Sequence, residues 1–370
     1  MNLSRMRLGA VGLALVATVA ACGGSSTGGK ANPGASSGAS ASSSGGTTTP
    51  THLALDGNGQ PRLNGVTLAM GNAAGDATIG DTVAYLTSKV LQQWGAHTSF
   101  QLGNGNNTEL AVVSGQLGDT AGPLDTCIDA GLTLFGPNQV HVDYLLVSDK
   151  ATTVQGLKGK TVALATAVSP DQNLLSIALH NAGLTRSDVH VFLSGANSAS
   201  ESALLKGAVD AAWVHADALL KLQKAGTFHV LTKATQTAPY LADSYMCAKP
   251  SWLTGHPAYA QAIDLAWIEA ANVFNNNESQ WVQAAQAYTK GAESASDNRA
   301  AYTAIKQADP WSLADQAHFD ASDVAKNYNQ AKSTGRIKAE GNRPQSQWLD
   351  LRDWQAAWQV YQSHTSTYGG

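Results

Sequence analysis

The stretch "VALATAVSPDQNLLSIAL", residues 162–179, changes hydrophobic period partway along. Its apolar run stops at Thr166, passes through a short polar turn, and resumes with apolar residues at helical spacing. That is the pattern of a strand leading through a turn into an amphipathic helix. The same change occurs upstream, where "NGVTLAM" (64–70) leads through a polar turn to "IGDTVAYLTSKVLQQWG". A second match is sharper. "FQLGNGNNTELAVVSGQLGDTA", from Phe100, and "FLSGANSASESALLKGAVDAAW", from Phe192, carry Phe, Gly, Glu and Gly at the same offsets. The pairs are Phe100 and Phe192, Gly103 and Gly195, Glu109 and Glu201, Gly115 and Gly207. Each copy then reaches an acid, Asp119 or Asp210, ahead of a small-residue strand.

Each copy therefore reads as β-α-β-α-β, the order of a parallel sheet with crossover helices. Thr108 and Ser200 are expected to cap the second helix of each copy, with Gly115 and Gly207 ending it in the left-handed conformation. Between the copies, the apolar run 142–147 is expected as a strand leaving the first lobe, and residues 228–247 as the return. The remainder is mostly helical by its three- and four-residue apolar spacing, and holds seven of the nine tryptophans, which are read as core. The predicted fold is α/β: two similar lobes, each a mainly parallel sheet with helices on both faces. Residues 51–149 form the first lobe, 150–240 the second, and 241–370 return to the first. The hinge crossings are expected near 148–153 and 232–245. Open parallel sheets put their loops and ligands beyond the carboxyl ends of the strands, so two facing edges define one cleft.

The start of the chain is not part of that body. "MNLSRMR" is basic, "LGAVGLALVATVA" is a short apolar core, and "VAAC" is a small-residue site, which together make a secretory signal over residues 1–21. The position of Cys22 resembles a bacterial lipobox, in which the cysteine is lipidated and becomes the mature N-terminus. Residues 22–50, rich in Gly, Ser and Thr, lack the apolar side chains to fold and read as a flexible tether. Two or three acyl chains at about 0.8 kcal/mol per buried CH₂ suffice for lasting attachment. Removing the leader takes Arg5 and Arg7 and no acid, which moves the formal charge from −4 to −6 and gives nucleic acid no reason to bind.

The strand-end turns supply the candidate ligand contacts. In the first lobe these are Asn72, Asp76, Thr78, Asn104, Asn106, Asn107, Thr108 and Thr120. In the second they are Ser169, Gln172, Asn197, Ser198 and His215. Ser169 to Gln172 fits a capping box with Pro170 at the first helical position. The same helix N-terminus would point free N–H groups into the cleft. Trp213 and His215 share one face of a strand; Trp213 reads as core, and His215 as either a satisfied buried histidine or a ligand contact. None of these turns contains Lys or Arg, which favours a neutral, zwitterionic or heterocyclic solute over nitrate. The histidines form no His-x-His or His-x₃-His pair, so neither a metal nor another cofactor is expected. Cys127 and Cys247 either form one bridge or stay free.

Residues 154–214 resemble the substrate-binding proteins of ABC importers, closest to the group handling aliphatic sulfonates, taurine, nitrate and thiamine-precursor or riboflavin-like compounds. The motifs are L-K-G-K-x-V at 157–162, A-G-L-T-x-x-D-V at 182–189 and K-G-x-V-D-A at 206–211. The late segment "DVAKNYNQAKSTGRIKAEG" matches that group's last helix and G-x-I turn. The resemblance spans essentially the whole mature chain. It implies a periplasmic-binding-protein-like clamshell of type II, and a receptor lipid-anchored at the outer face of the cytoplasmic membrane. Its partners would be a small-molecule solute and the permease and ATPase subunits of an importer. His215 stands where that group has a cleft-facing aromatic. The alternative is an enzyme, because relatives of the fold include an aromatic sulfinate desulfinase and a thiamine-pyrimidine synthase. Those use a cleft cysteine or a cysteine-rich motif, and this chain has no cysteine cluster, P-loop or G-x-S-x-G.

Overall fold

The computed structural model describes residues 52–73, 79–103, 106–317, 319–338 and 341–368. The expected leader, tether and Cys22 lie outside the described residues, as do Asp76, Thr78 and Asn104.

The first lobe opens with β1 (Thr67–Asn72), α1 (Thr82–Gln93), β2 (His97–Leu102), α2 (Asn107–Ser114), β3 (Asp119–Gly122), α3 (Leu124–Asp129) and β4 (Thr133–Gln139). The second runs β5 (Tyr144–Ser148), β6 (Thr161–Leu164), α4 (Asp171–Asn181), β7 (His190–Leu193), α5 (Asn197–Leu205), β8 (Ala211–His215), α6 (Ala218–Ala225), β9 (His229–Lys233) and α7 (Ala234–Thr237). β10 (Ser244–Ala248) then rejoins the first sheet.

Two five-stranded sheets result, ordered β2-β1-β3-β10-β4 and β7-β6-β8-β5-β9. In each, the first three strands pair in parallel. β10 runs antiparallel to both β3 and β4, and β5 antiparallel to both β8 and β9. Each antiparallel strand is the first one after a crossing between lobes. Parallel strands end at the cleft, so chain arriving from the other lobe enters at that edge and has to run the opposite way.

That topology corrects the hinge. The apolar run expected to leave the first lobe is β5, and it belongs to the second sheet. The first crossing is therefore residues 140–143, not 148–153, and the lobe boundary lies upstream of 149. Every β5 position is buried, so the run is covered on both faces, and hydrophobicity alone does not say which sheet it joins. The second crossing, 234–243, falls inside the expected interval.

The repeat maps element for element onto β2-α2-β3 and β7-α5-β8. Gly115 and Gly207 take φ of +86° and +66° at the helix ends, a conformation a β-carbon disfavours. The caps differ from expectation. α2 starts behind Asn106 and α5 behind Ala196, which puts Thr108 and Ser200 inside the first turn. Both are buried there: Thr108 donates to the Glu109 carboxylate at 3.2 Å, and the Ser200 hydroxyl lies 2.7 Å from that of Ser194.

After β10 the chain is helical: α8 (Pro250–Gly255), α9 (Pro257–Asn276), α10 (Glu278–Tyr288), α11 (Ala295–Lys306), α12 (Leu313–Ala317), α13 (Ala321–Ser333) and α14 (Arg352–Ser363). α9 packs on α1, α10 and α14, and Trp267, Trp281 and Trp354 of α9, α10 and α14 are buried. Tyr328 of α13 stacks on Trp348 at 4.7 Å, in a core that also holds Cys127 and Cys247. Those two cysteines are joined as a disulfide between α3 and β10.

Candidate functional site: an interlobe cleft

The facing strand ends form a cleft that opens to solvent. The first lobe contributes Asn72, Asp81, Asn138, Gln139, Asp243 and Ser244 among its lining side chains. The second contributes Tyr144, Ser169, Asn197 and His215. Among the described residues no lysine or arginine lines it.

His215, the last residue of β8, anchors the second-lobe wall. Its Nδ1 lies 2.8 Å from the carboxylate of Asp143, which is 1% exposed. Its ring meets that of Tyr144 edge-on at 4.3 Å. Burial penalises the imidazolium, but the Asp143 carboxylate beside it, with Asp217 and Asp81, outweighs that and holds its pKa at about 10. The ring is therefore charged at neutral pH and donates from both nitrogens. The Asn197 amide lies 2.8 Å from Nε2 and 3.1 Å from the Tyr144 hydroxyl, and turning its oxygen toward them satisfies both.

The polar turn of the second lobe is closed by its own groups. Asp171 accepts from the Ala165 N–H at 2.7 Å and from the Ser169 hydroxyl. Ser169 Oγ accepts from the Thr166 N–H at 3.1 Å. Gln172 donates to the Thr166 carbonyl at 2.7 Å and accepts from Arg186 at 2.5 Å. No capping box forms, because the hydroxyl that would cap the helix is already engaged within the turn. Asp171 instead places a carboxylate on the helix N-terminus, where it balances the dipole a bound anion would otherwise use.

Two acids face the opening from the first lobe. Asn72 donates to Asp81 at 3.0 Å. Asp243 immediately precedes β10, and its N–H donates to the Gln139 carbonyl at 2.9 Å. Burial pushes the Asp243 carboxyl up; His215 opposes this and the Asp143 and Asp81 carboxylates add to it, leaving it at about 7. Asp243 Oδ1, Asp143 Oδ2 and Gln139 Nε2 are buried atoms without a hydrogen-bond partner among the described residues.

A clasp spans the lobes beside the cleft. Arg336, just beyond α13, forms two 2.8 Å bonds to Asp125 of α3 and donates to the Val168 carbonyl on the second-lobe turn. Thr334 donates to Asn173 of α4 at 2.9 Å.

Of the residues singled out from sequence, Asn72, Ser169, Asn197 and His215 line the cleft. Asn106, Asn107 and Ser198 are exposed and absent from its lining. Thr108 and Thr120 are buried within the first lobe, and Gln172 braces the turn from outside the lining. The reading missed Asp81, Asn138, Gln139, Asp143, Tyr144 and Asp243. A signal for two of them exists: "HVDYLLV" and "LADSYMC" each place an aspartate just ahead of an apolar strand. Those are the two strands that follow the crossings. Among the described residues no group of three His, Cys, Asp or Glu is set to hold a metal ion.

No family model and no curated protein matches the chain. Solved structures do, at the level of fold. A ligand-binding component of an ABC-type import system from Staphylococcus aureus, with zinc bound, aligns with a TM-score of 0.63 at 11% identity, over 79% of this chain and 99% of that one. The periplasmic aliphatic sulphonate binding protein SsuA from Escherichia coli aligns at 0.57 and 20% identity, over 73% and 86%. A mutant of DszB in complex with biphenyl-2-sulfinic acid aligns at 0.54 and 12% identity, over 79% and 99%. The chain has the two-lobed α/β fold of periplasmic binding proteins.

Proposed function

We propose that this chain is the extracytoplasmic solute receptor of an ABC importer. A lipid on Cys22 holds it at the outer face of the cytoplasmic membrane. It takes a small polar or heterocyclic molecule into the cleft by hinge closure and delivers it to the permease and ATPase subunits. The observation that carries this reading is the cleft itself, lined from two matching sheets that the chain joins at two crossings, with the side-chain clasp beside it. Solute touching Asn72 and Asp243 on one side and Asn197 and His215 on the other would stabilise the closed arrangement over the open one.

The enzyme alternative finds little support. Cys127 and Cys247 are fully buried, bonded to each other and absent from the cleft lining, so neither offers a thiolate to a substrate there. A binding screen tests the receptor reading. A solute at 100 times its Kd adds about 2.7 kcal/mol of stability. The same solute is expected to shrink the radius of gyration measured by small-angle scattering. A saturating stabiliser that leaves the radius unchanged would count against closure, and turnover of that compound would move the reading to an enzyme.

A further inference from the structure

We propose that the solute is a small organic cation: a protonated amine whose ammonium faces the carboxylates of Asp81 and Asp243, with a hydrogen-bond acceptor a few bonds away that receives Gln139 Nε2. This deepens the receptor reading of the same cleft and rests on it.

Three observations converge. First, the lining contains Asp81 and Asp243 and, among the described residues, no lysine or arginine, while the His215 imidazolium is already paired with Asp143. Second, the N-terminus of α4, the kind of edge that can hold an anion, has its Gln172, Asn173 and Leu174 N–H groups donating to the Ser169 and Pro170 carbonyls, and carries the Asp171 carboxylate in its first turn. Third, the unpartnered atoms match one ligand shape. Asp243 Oδ1 lacks a donor, and Gln139 Nε2, on a side chain 6% exposed, lacks an acceptor. Their residues are neighbours through the Asp243 N–H to Gln139 carbonyl bond, so a single small molecule can serve both. A sulfonate in the same place would meet the Asp243 carboxylate, with no lysine or arginine among the described lining residues to offset it.

The proposal carries a pH signature. The groups around Asp243 are His215, Asp143, Asp81 and Ser244, with Tyr144 beside it in the cleft and Arg336 in the adjoining pocket. The Asp243 carboxyl titrates at about 7, and a bound cation favours its ionised form. Cation affinity should therefore rise with pH between about 6 and 8, with proton release on binding. An anionic solute would do the reverse.

The test is a thermal-shift and calorimetric panel on the intact chain. Ethanolamine, benzylamine and agmatine are the amines. Ethylene glycol and benzyl alcohol are the neutral controls, and isethionate and benzenesulfonate the anions. We expect amines to stabilise most at pH 8. We expect Asp243→Asn to weaken the tightest of them by roughly 10- to 100-fold, as for a lost charged hydrogen bond, and Asp243→Glu to retain most of the affinity. The unliganded melting temperature of each variant reports on folding. Stabilisation by sulfonates and not by amines would overturn the cation inference and leave the receptor reading standing. Amine binding unchanged in both Asp243→Asn and Asp81→Asn would also overturn it. A panel in which no compound of any arm shifts the melt would overturn it and weaken the receptor reading as well.

Discussion

Arg336→Ala is expected to cost about 3–5 kcal/mol of folding stability, the usual penalty for removing one partner of a buried ion pair. Arg336 and Asp125 have side chains only 10% and 7% exposed, so solvent screens the pair little. Burial already pushes the Asp125 carboxyl up, and the Arg336 charge is what opposes it. Arg336 also reaches the Val168 carbonyl on the second-lobe turn, so the same substitution removes a tie across the cleft. The two consequences are separable. Urea unfolding reads the first. The second should appear as a larger radius of gyration in the ligand-free protein and a weaker solute affinity, because more of the binding energy is spent on closing. Arg336→Lys keeps the charge but loses the planar fork, and is expected to fall between wild type and alanine on both measures. A stability loss below about 1 kcal/mol would mean the pair behaves as a screened surface bridge. A stability loss with unchanged scattering and affinity would confine Arg336 to the first lobe.

Periodicity and self-similarity disclosed much of the architecture. The period change after Thr166 marks the junction of β6 and α4, and the offsets shared from Phe100 and Phe192 match two copies of one supersecondary unit. Local chemistry is sufficient for such features, since they depend on residues a few positions apart. The crossings were less legible. β5 and β10 are apolar runs buried on both faces, and whether such a run joins one sheet or the other is decided by neighbours far along the chain. The site followed the same divide. Asn72, Ser169, Asn197 and His215 sit at strand ends that the pattern locates. Asp143 and Asp243 lie on the crossings, and their importance depends on meeting His215 and Gln139, 72 and 104 residues away. Gln172 shows the opposite failure: its position is right, but Arg186 and the Thr166 carbonyl hold it away from the cleft.

Breaking the Cys127–Cys247 bond is expected to destabilise the fold by about 2–5 kcal/mol without altering the affinity of the folded protein for its solute. The bond links positions separated by 120 residues, and the chain-entropy estimate for so long a loop is near the top of that range, roughly 5 kcal/mol. The enclosed segment is the entire excursion through the second lobe. β10 has to return from it and insert between β3 and β4, and the bond keeps the two ends of that excursion together in the unfolded chain. Both cysteines are fully buried in the first-lobe core and absent from the cleft lining, so the folded site should not register the loss. Urea unfolding with and without reductant, or of a Cys127→Ala, Cys247→Ala double variant, gives the stability change; titration under native conditions gives the affinity. The contrast with Arg336 is diagnostic. A link within one lobe should move stability alone, whereas a link between lobes should move stability and closure together. A reduced but folded protein with altered affinity would show that the first-lobe core, and not the hinge alone, sets the cleft geometry.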